Sequence, residues 1–221
     1  MLHETVATLR AFDLRETFVA PEVESGDDVV VLVHGLMATA GAFRPLRARL
    51  ERELGVKVAS FTHVPGAGIR RIAEQLARLV DDLPDGARVH LVGHSLGGIV
   101  ARWYVQEMGG HDRVAHTVAL ASPFGGAPLA RKLPVLVGAD LHERSLVLSR
   151  LRGSAHVGDV PHLSIAGSHD RLAPLDTVKA FPRGEVVVMH GRGHNGLLFC
   201  DATLRVVVDR VASHVPSRLS A

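Results

Sequence analysis

The run Gly93-His94-Ser95-Leu96-Gly97 sets a serine between two glycines. It directly follows the apolar stretch Val89-His90-Leu91-Val92 and shortly precedes Ile99-Val100-Ala101-Arg102-Trp103. A strand, a sharp turn and a helix in that order are the setting in which G-x-S-x-G exposes a serine hydroxyl. A Cβ at Gly93 or Gly97 would collide with the neighbouring strand or helix, so both positions call for glycine. The turn brings Ser95 to a helix N-terminus, where the positive end of the peptide dipoles favours a developing anion. The chemistry implied is nucleophilic attack on a carbonyl carbon.

A serine hydroxyl needs a base and a way to hold the negative charge it creates. The chain carries 14 histidines, so context has to choose among them. His194 lies in Gly191-Arg192-Gly193-His194-Asn195-Gly196, a glycine-rich loop after the strand-like Val186 to Met189, where the imidazole can reach over a sheet edge. His94, inside the elbow, is expected to pack or hydrogen-bond locally, and His34 to hold its own loop. The orienting acid should follow a strand between serine and histidine, which selects Asp170 after Leu163-Ser164-Ile165-Ala166-Gly167. Asp176 is its main competitor, with Asp140 and Asp159 behind. One oxyanion donor is expected to be the backbone N–H of Leu96. The other is that of Leu36, in the turn His34-Gly35-Leu36-Met37.

These groups need a scaffold that brings distant loops to one rim. Val29-Val30-Val31-Leu32-Val33 is apolar on both faces, and Val56 to Phe61, Val89 to Val92, Thr117 to Leu120, Leu163 to Ala166 and Val186 to Met189 follow as weaker strands. Between them Phe43 to Leu54, Ile69 to Leu83 and Leu96 to Met108 carry helical period, and Leu197 to Val211 supplies a last helix after them. Alternation of this kind predicts an α/β fold: one mostly parallel central sheet of about six or more strands, with helices on both faces. The whole of 1–221 is expected to be one domain. Residues 123–160 interrupt the rhythm with an apolar connection, read as a lid or cap insertion or as a second helical layer of the core. The spacing of Asp140 and Glu143 predicts a short helix beginning there. Residues 1–27 suggest a helix plus an edge strand.

Composition narrows the function. Of 221 residues, 47% are apolar and 22% charged, enough to fill a core. Lys and Arg number 25 against 23 for Asp and Glu, and aromatics are only 4%, which argues against nucleic acid as a partner. The single cysteine, Cys200, in an apolar stretch, is expected to be a buried structural residue. No CxxC pattern or ligand cluster suggests a metal, and no cofactor motif is present. The N-terminus lacks a signal-peptide pattern and no apolar run approaches the roughly 18 residues of a membrane helix, so a cytoplasmic protein is expected, a secreted form with its signal removed being the alternative that would read the same. Oligomeric state leaves no mark in the sequence.

Four segments, Val31-Leu32-Val33-His34-Gly35, Gly93 to Gly98, Gly167 to Pro174 and His190 to Leu198, together resemble the α/β-hydrolase superfamily. Within it the chain is most similar to bacterial triacylglycerol lipases and related esterases, through Ser122-Pro123-Phe124-Gly125-Gly126-Ala127-Pro128-Leu129-Ala130 and the ending His194-Asn195-Gly196-Leu197-Leu198. The likeness spans roughly residues 28 to 212. It implies an α/β-hydrolase fold with Ser95 as nucleophile, His194 as base and Asp170 as its partner. Leu36 and Leu96 would form the oxyanion hole, with no cofactor. The expected substrate is a small-molecule ester or lipid with a hydrophobic acyl group, and contact with a lipid surface is compatible with this. The same groups would serve an acyltransferase or a thioesterase, and a non-catalytic binding protein could share the fold.

Overall fold

The computed structural model describes residues 18–19, 22–132 and 135–216. Seven strands form one sheet in the order β1-β3-β2-β4-β5-β6-β7. They are β1 (Phe18–Val19), β2 (Asp28–Val33), β3 (Lys57–Phe61), β4 (Arg88–His94), β5 (Val114–Leu120), β6 (His162–Gly167) and β7 (Glu185–Met189). Six run parallel, and the two-residue β1 pairs antiparallel with β3 at one edge. Of the segment expected before residue 28, this edge strand is seen. The expected helix falls outside the described residues.

The β2 run is apolar on both faces because both faces are covered. Val29, Val31 and Val33 join one core cluster while Val30 and Leu32 join the other, the period-two alternation of a strand between two helical layers. On one side lie α2 (Ile69–Asp81) and α3 (Leu96–Glu107), and on the other α1 (Arg44–Leu54) and α7 (Asp201–Ala212). In α2, Ile69, Ile72, Ala73, Leu76 and Val80 are buried, whereas Arg70, Arg71, Glu74 and Arg78 face water. Helix α1 stops at Gly55, whose left-handed φ of 63° returns its N–H to Glu51 O at 3.1 Å, a conformation glycine adopts cheaply.

The segment 123–160 folds into a three-residue turn of 3-10 helix at Ala130–Lys132, then α4 (Val135–Leu141) and α5 (Leu146–Gly153). Val137, Leu141, Val147, Leu148, Leu151 and Ala155 are buried in the same core cluster as α2 and α3, while Leu129 and Leu146 stay exposed. The short helix does not begin at Asp140. That residue lies in the last turn of α4, and α5 starts after Ser145, whose hydroxyl accepts from Leu148 N–H at 3.1 Å. The Asp140 carboxylate accepts from Ile69 N–H at 2.7 Å instead, so it caps α2, whose first N–H groups have no intrahelical partner. It fastens the 123–160 segment to the body of the fold.

Because the strands are parallel, the exits of β2, β4, β6 and β7 lie at one rim. The chain leaves β2 towards β3 on one side and leaves β4 towards β5 on the other. The loops after these adjacent strands therefore part, and the crevice between them is where open α/β sheets bind ligands.

Candidate active site

The residues at that crevice are Gly35 after β2 and Ser95 after β4. Ser95 has φ 54° and ψ −118°, a conformation that side-chain-bearing residues rarely take. Its N–H donates to Leu120 O at 2.8 Å, which pins the turn against β5. A Cβ on Gly93 would lie 2.3 Å from Gly97 C, and one on Gly97 only 1.9 Å from Val33 O. The two glycines thus let the strand, the turn and the neighbouring β2 close on one another, leaving Ser95 partly exposed.

The loop after β2 is held by two histidines. His63 N–H donates to His34 Nε2 at 3.1 Å, so the His34 proton sits on Nδ1 and is donated to Gly35 O at 2.7 Å. His63 Nε2–H donates to His34 O at 3.2 Å, and the two rings stack with centroids 3.9 Å apart. Once Gly35 C=O is tied in this way, the planar trans peptide makes the Leu36 N–H point the opposite way. Among the described residues no carbonyl accepts from that N–H. A Cβ on Gly35 would lie 3.1 Å from Ser95 Cβ, which shows how closely this loop passes the serine. Leu96 opens α3, and its N–H, at the first position of the helix, has no intrahelical acceptor.

Asp170 and His194 are brought together from loops 24 residues apart, with His194 Nδ1 donating to Asp170 Oδ2 at 2.8 Å. The other carboxylate oxygen accepts from Leu172 N–H at 2.8 Å and Ala173 N–H at 2.9 Å. The carboxylate is fully buried, and these contacts orient it towards the imidazole. The two loops are bound together: His169 N–H donates to Arg192 O, Ser168 N–H to Met189 O, and Gly191 N–H to Ser168 Oγ. A Cβ on Gly167 would lie 2.4 Å from Arg192 O, so glycine at the end of β6 permits that approach. With Nδ1 protonated, His194 Nε2 is left as an acceptor. Among the described residues no hydrogen bond joins it to Ser95 Oγ. Such contacts often tighten only when a reacting group arrives.

The structure does not bring the rival acids to the imidazole. Asp140 caps α2, and Asp159 pairs with Arg183 at 2.5 Å. Asp176 lies in the first turn of α6 (Leu175–Lys179), lining a neighbouring cavity of about 480 Å³ with Gly125–Pro128, His142 and Glu143. Sequence reasoning missed His63, because nothing near it marks the end of β3 as a partner for residue 34. It expected His94 to pack or bond locally; the ring is buried, but its hydrogen bond is not local, since Nε2–H donates to His194 O at 3.2 Å, 100 residues away. Cys200 is buried, 6% exposed.

Burial keeps the surrounding imidazoles uncharged. It pushes His34 down from 6.5 to about 3, with the His63 ring adding to the fall. His94 is held well below its ordinary value, first by burial and then by the charge that His194 can carry. At the opposite end of the sheet, His90 Nε2–H donates to Asp28 Oδ1 at 2.9 Å. The His90 and His116 Nδ1 atoms lie 2.8 Å apart, and burial pushes His116 down to about 2. These histidines stay neutral in the folded chain but gain protons on unfolding once the pH falls below about 6.5. The unfolded state then binds more protons, so stability falls with pH by up to about 1.4 kcal/mol per unit for each such group. For His34 the loss runs on to about pH 3 and for His116 to about pH 2. Urea unfolding should therefore show a stability lower by about 4 kcal/mol at pH 5 than at pH 7 from these two residues alone. A stability unchanged between the two pH values would contradict their neutral burial.

Residues 29–153 match the family of palmitoyl protein thioesterases. The chain belongs to that family. The match includes the loop after β2, the elbow and most of the 123–160 segment. Among solved structures the chain is similar to a monoacylglycerol lipase from Paleococcus ferrophilus. The TM-score is 0.69 at 18% identity, over 89% of this chain and 99% of that one. It is also similar to the mature form of a Bacillus licheniformis lipase, with a TM-score of 0.71 at 15% identity over 87% and 95% of the two chains. A phospholipase from Legionella pneumophila aligns at a TM-score of 0.67 and 15% identity, over 86% of this chain and 57% of that one. At these identities the likeness is one of fold, the α/β-hydrolase fold. No curated protein matches the chain in sequence. Among the described residues, no helix of this thioesterase-family chain is long and apolar enough to cross a membrane.

Proposed function

We propose that the chain is a serine hydrolase that cleaves carboxylic esters with hydrophobic acyl groups through an acyl-enzyme on Ser95. The observation that carries the reading is the 2.8 Å hydrogen bond from His194 to Asp170, made at the rim where the elbow turns. Ser95 Oγ attacks the acyl carbonyl carbon and passes its proton to His194 Nε2. The carbonyl oxygen takes the electron pair and is held by the N–H groups of Leu36 and Leu96. Asp170 keeps the imidazole in the right tautomer and stabilises the cation. The neutral state of His34 and His94 spares that cation a like charge alongside it. As the carbonyl re-forms, the bond to the leaving oxygen breaks and His194 returns the proton to it. Water then attacks the acyl-enzyme by the same route and the acid departs.

Thioesters are the second reading, favoured by the family match over residues 29–153. The same steps apply, with a thiol leaving in place of an alcohol. Matched oxygen esters of nitrophenol and thioesters of nitrothiophenol, from acetyl to palmitoyl, separate the two. The expected result is turnover that rises with chain length, and labelling of Ser95 by a fluorophosphonate. A folded protein that neither turns over any member nor takes the label would overturn the proposal.

The acid offers a sharper check. Asp170→Asn keeps the shape but presents an amide to Nδ1 and so favours the wrong tautomer. It is expected to lower kcat about 10⁴-fold with little change in KM. The analogous Asp176→Asn should leave kcat within about twofold. Equal losses in the two variants would assign the acid differently.

A further inference from the structure

We propose that His94 is a positioning residue that fixes the main chain of His194, an inference resting on the reading of His194 as the base. His94 ends β4 and stands next to Ser95 in sequence, yet its ring reaches the loop after β7. The Nε2 atom lies 3.2 Å from His194 O. A carbonyl only accepts, so Nε2 carries the proton and Nδ1 is a bare lone pair. That Nδ1 is buried with no hydrogen-bond partner, and it faces Gly35, whose absent Cβ would lie 3.1 Å from it.

A side chain needed only to fill this space would do so better without polar atoms. A buried acceptor left unpaired is destabilising, and a hydrocarbon of similar size carries no such penalty. The ring instead makes one polar contact, and that contact is with residue 194. The two rings lie 4.8 Å apart and tilted by 55°, so His94 also forms part of the wall beside the His194 imidazole.

Two restraints then act on residue 194 from opposite ends. Asp170 holds the ring through Nδ1, and His94 holds the peptide carbonyl. His194 leads into a turn of 3-10 helix at Asn195–Phe199, with φ −51° and ψ −63°. Fixing its carbonyl fixes the direction in which its Cα–Cβ bond leaves the main chain. Without the second restraint the loop can pivot about the Asp170 hydrogen bond and carry Nε2 away from Ser95. A displacement of about 1 Å there is enough to cost on the order of 100-fold in rate.

The test compares the wild type with His94→Leu, His94→Gln and His94→Asn, measuring kcat, KM and the rate of fluorophosphonate labelling. Glutamine puts an amide nitrogen where imidazole Nε2 sits, whereas asparagine reaches only the Nδ1 position. The leucine and asparagine variants are expected to lower kcat and labelling rate together by about 10- to 100-fold, with KM within about twofold. Glutamine should restore kcat to within about fivefold of wild type. If leucine fails to fold, the glutamine and asparagine pair decides the matter. Wild-type rates in the asparagine variant, or equal losses in folded glutamine and asparagine variants, would overturn the positioning role alone. Turnover that survives Ser95→Ala would overturn the reading of the site, and the positioning role with it.

Discussion

Replacing Ser95 with alanine is expected to lower kcat by about 10⁴- to 10⁶-fold while leaving the fold intact. The loss is large because, in the proposed reaction, the hydroxyl forms the covalent bond and no neighbouring group takes its place. In the proposed mechanism the oxyanion donors belong to the main chain of Leu36 and Leu96, so a small residual rate over water should remain. Stability separates the side chain from the backbone. Alanine keeps the Cβ and therefore keeps the strain of φ 54° and ψ −118°. Glycine releases it. Strain of this kind is worth about 1 to 3 kcal/mol, offset by the greater freedom glycine has when unfolded. Ser95→Gly should therefore be inactive yet more stable than wild type by about 1 kcal/mol in urea unfolding. A glycine variant that unfolds earlier than the alanine one would show that the elbow is not strained. Residual kcat within about tenfold of wild type in Ser95→Ala would remove the serine from the reaction.

What could be read beforehand follows from the range over which each interaction acts. The β2 run and the apolar stripe of α2 were legible because burial imposes a period on neighbouring residues. Ser95 was legible for the same reason, since the elbow needs its strand, glycines and helix in one continuous stretch. His194 and Asp170 were chosen as the residues following strands, and parallel pairing carries such positions to one rim. The other contacts have no local signature. Asp140 serves Ile69, 71 residues earlier, and its spacing with Glu143 suggested instead a helix start that the chain does not make. His63 braces His34 across 29 residues, and only the order of strands makes them neighbours. In 123–160 the composition announced burial, but a stretch apolar on every face has no phase from which to read which element it covers.

Gly97→Ala is expected to abolish both activity and stable folding, although it adds a single methyl group. That methyl would lie 1.9 Å from Val33 O, 2.6 Å from Val33 C and 2.9 Å from His34 O. All three are main-chain atoms. They cannot swing aside as a flexible side chain would, so α3 must separate from the end of β2. Overpacking in a core ordinarily costs about 1 to 3 kcal/mol, and a clash against backbone on both sides should exceed about 4 kcal/mol. The separation would also move Ser95 away from Gly35, since the two meet at this junction. Any soluble fraction is therefore expected to be unreactive towards a fluorophosphonate. Gly153→Ala is the control. It lies in the last turn of α5, where a Cβ meets nothing within 4 Å, and should be neutral or stabilising by up to about 1 kcal/mol. Equal melting temperatures for the two alanine variants would mean that β2 and the elbow do not close on each other as tightly as the geometry requires. Ser95 and the loop at Gly35 would then have to be held together by something other than this contact.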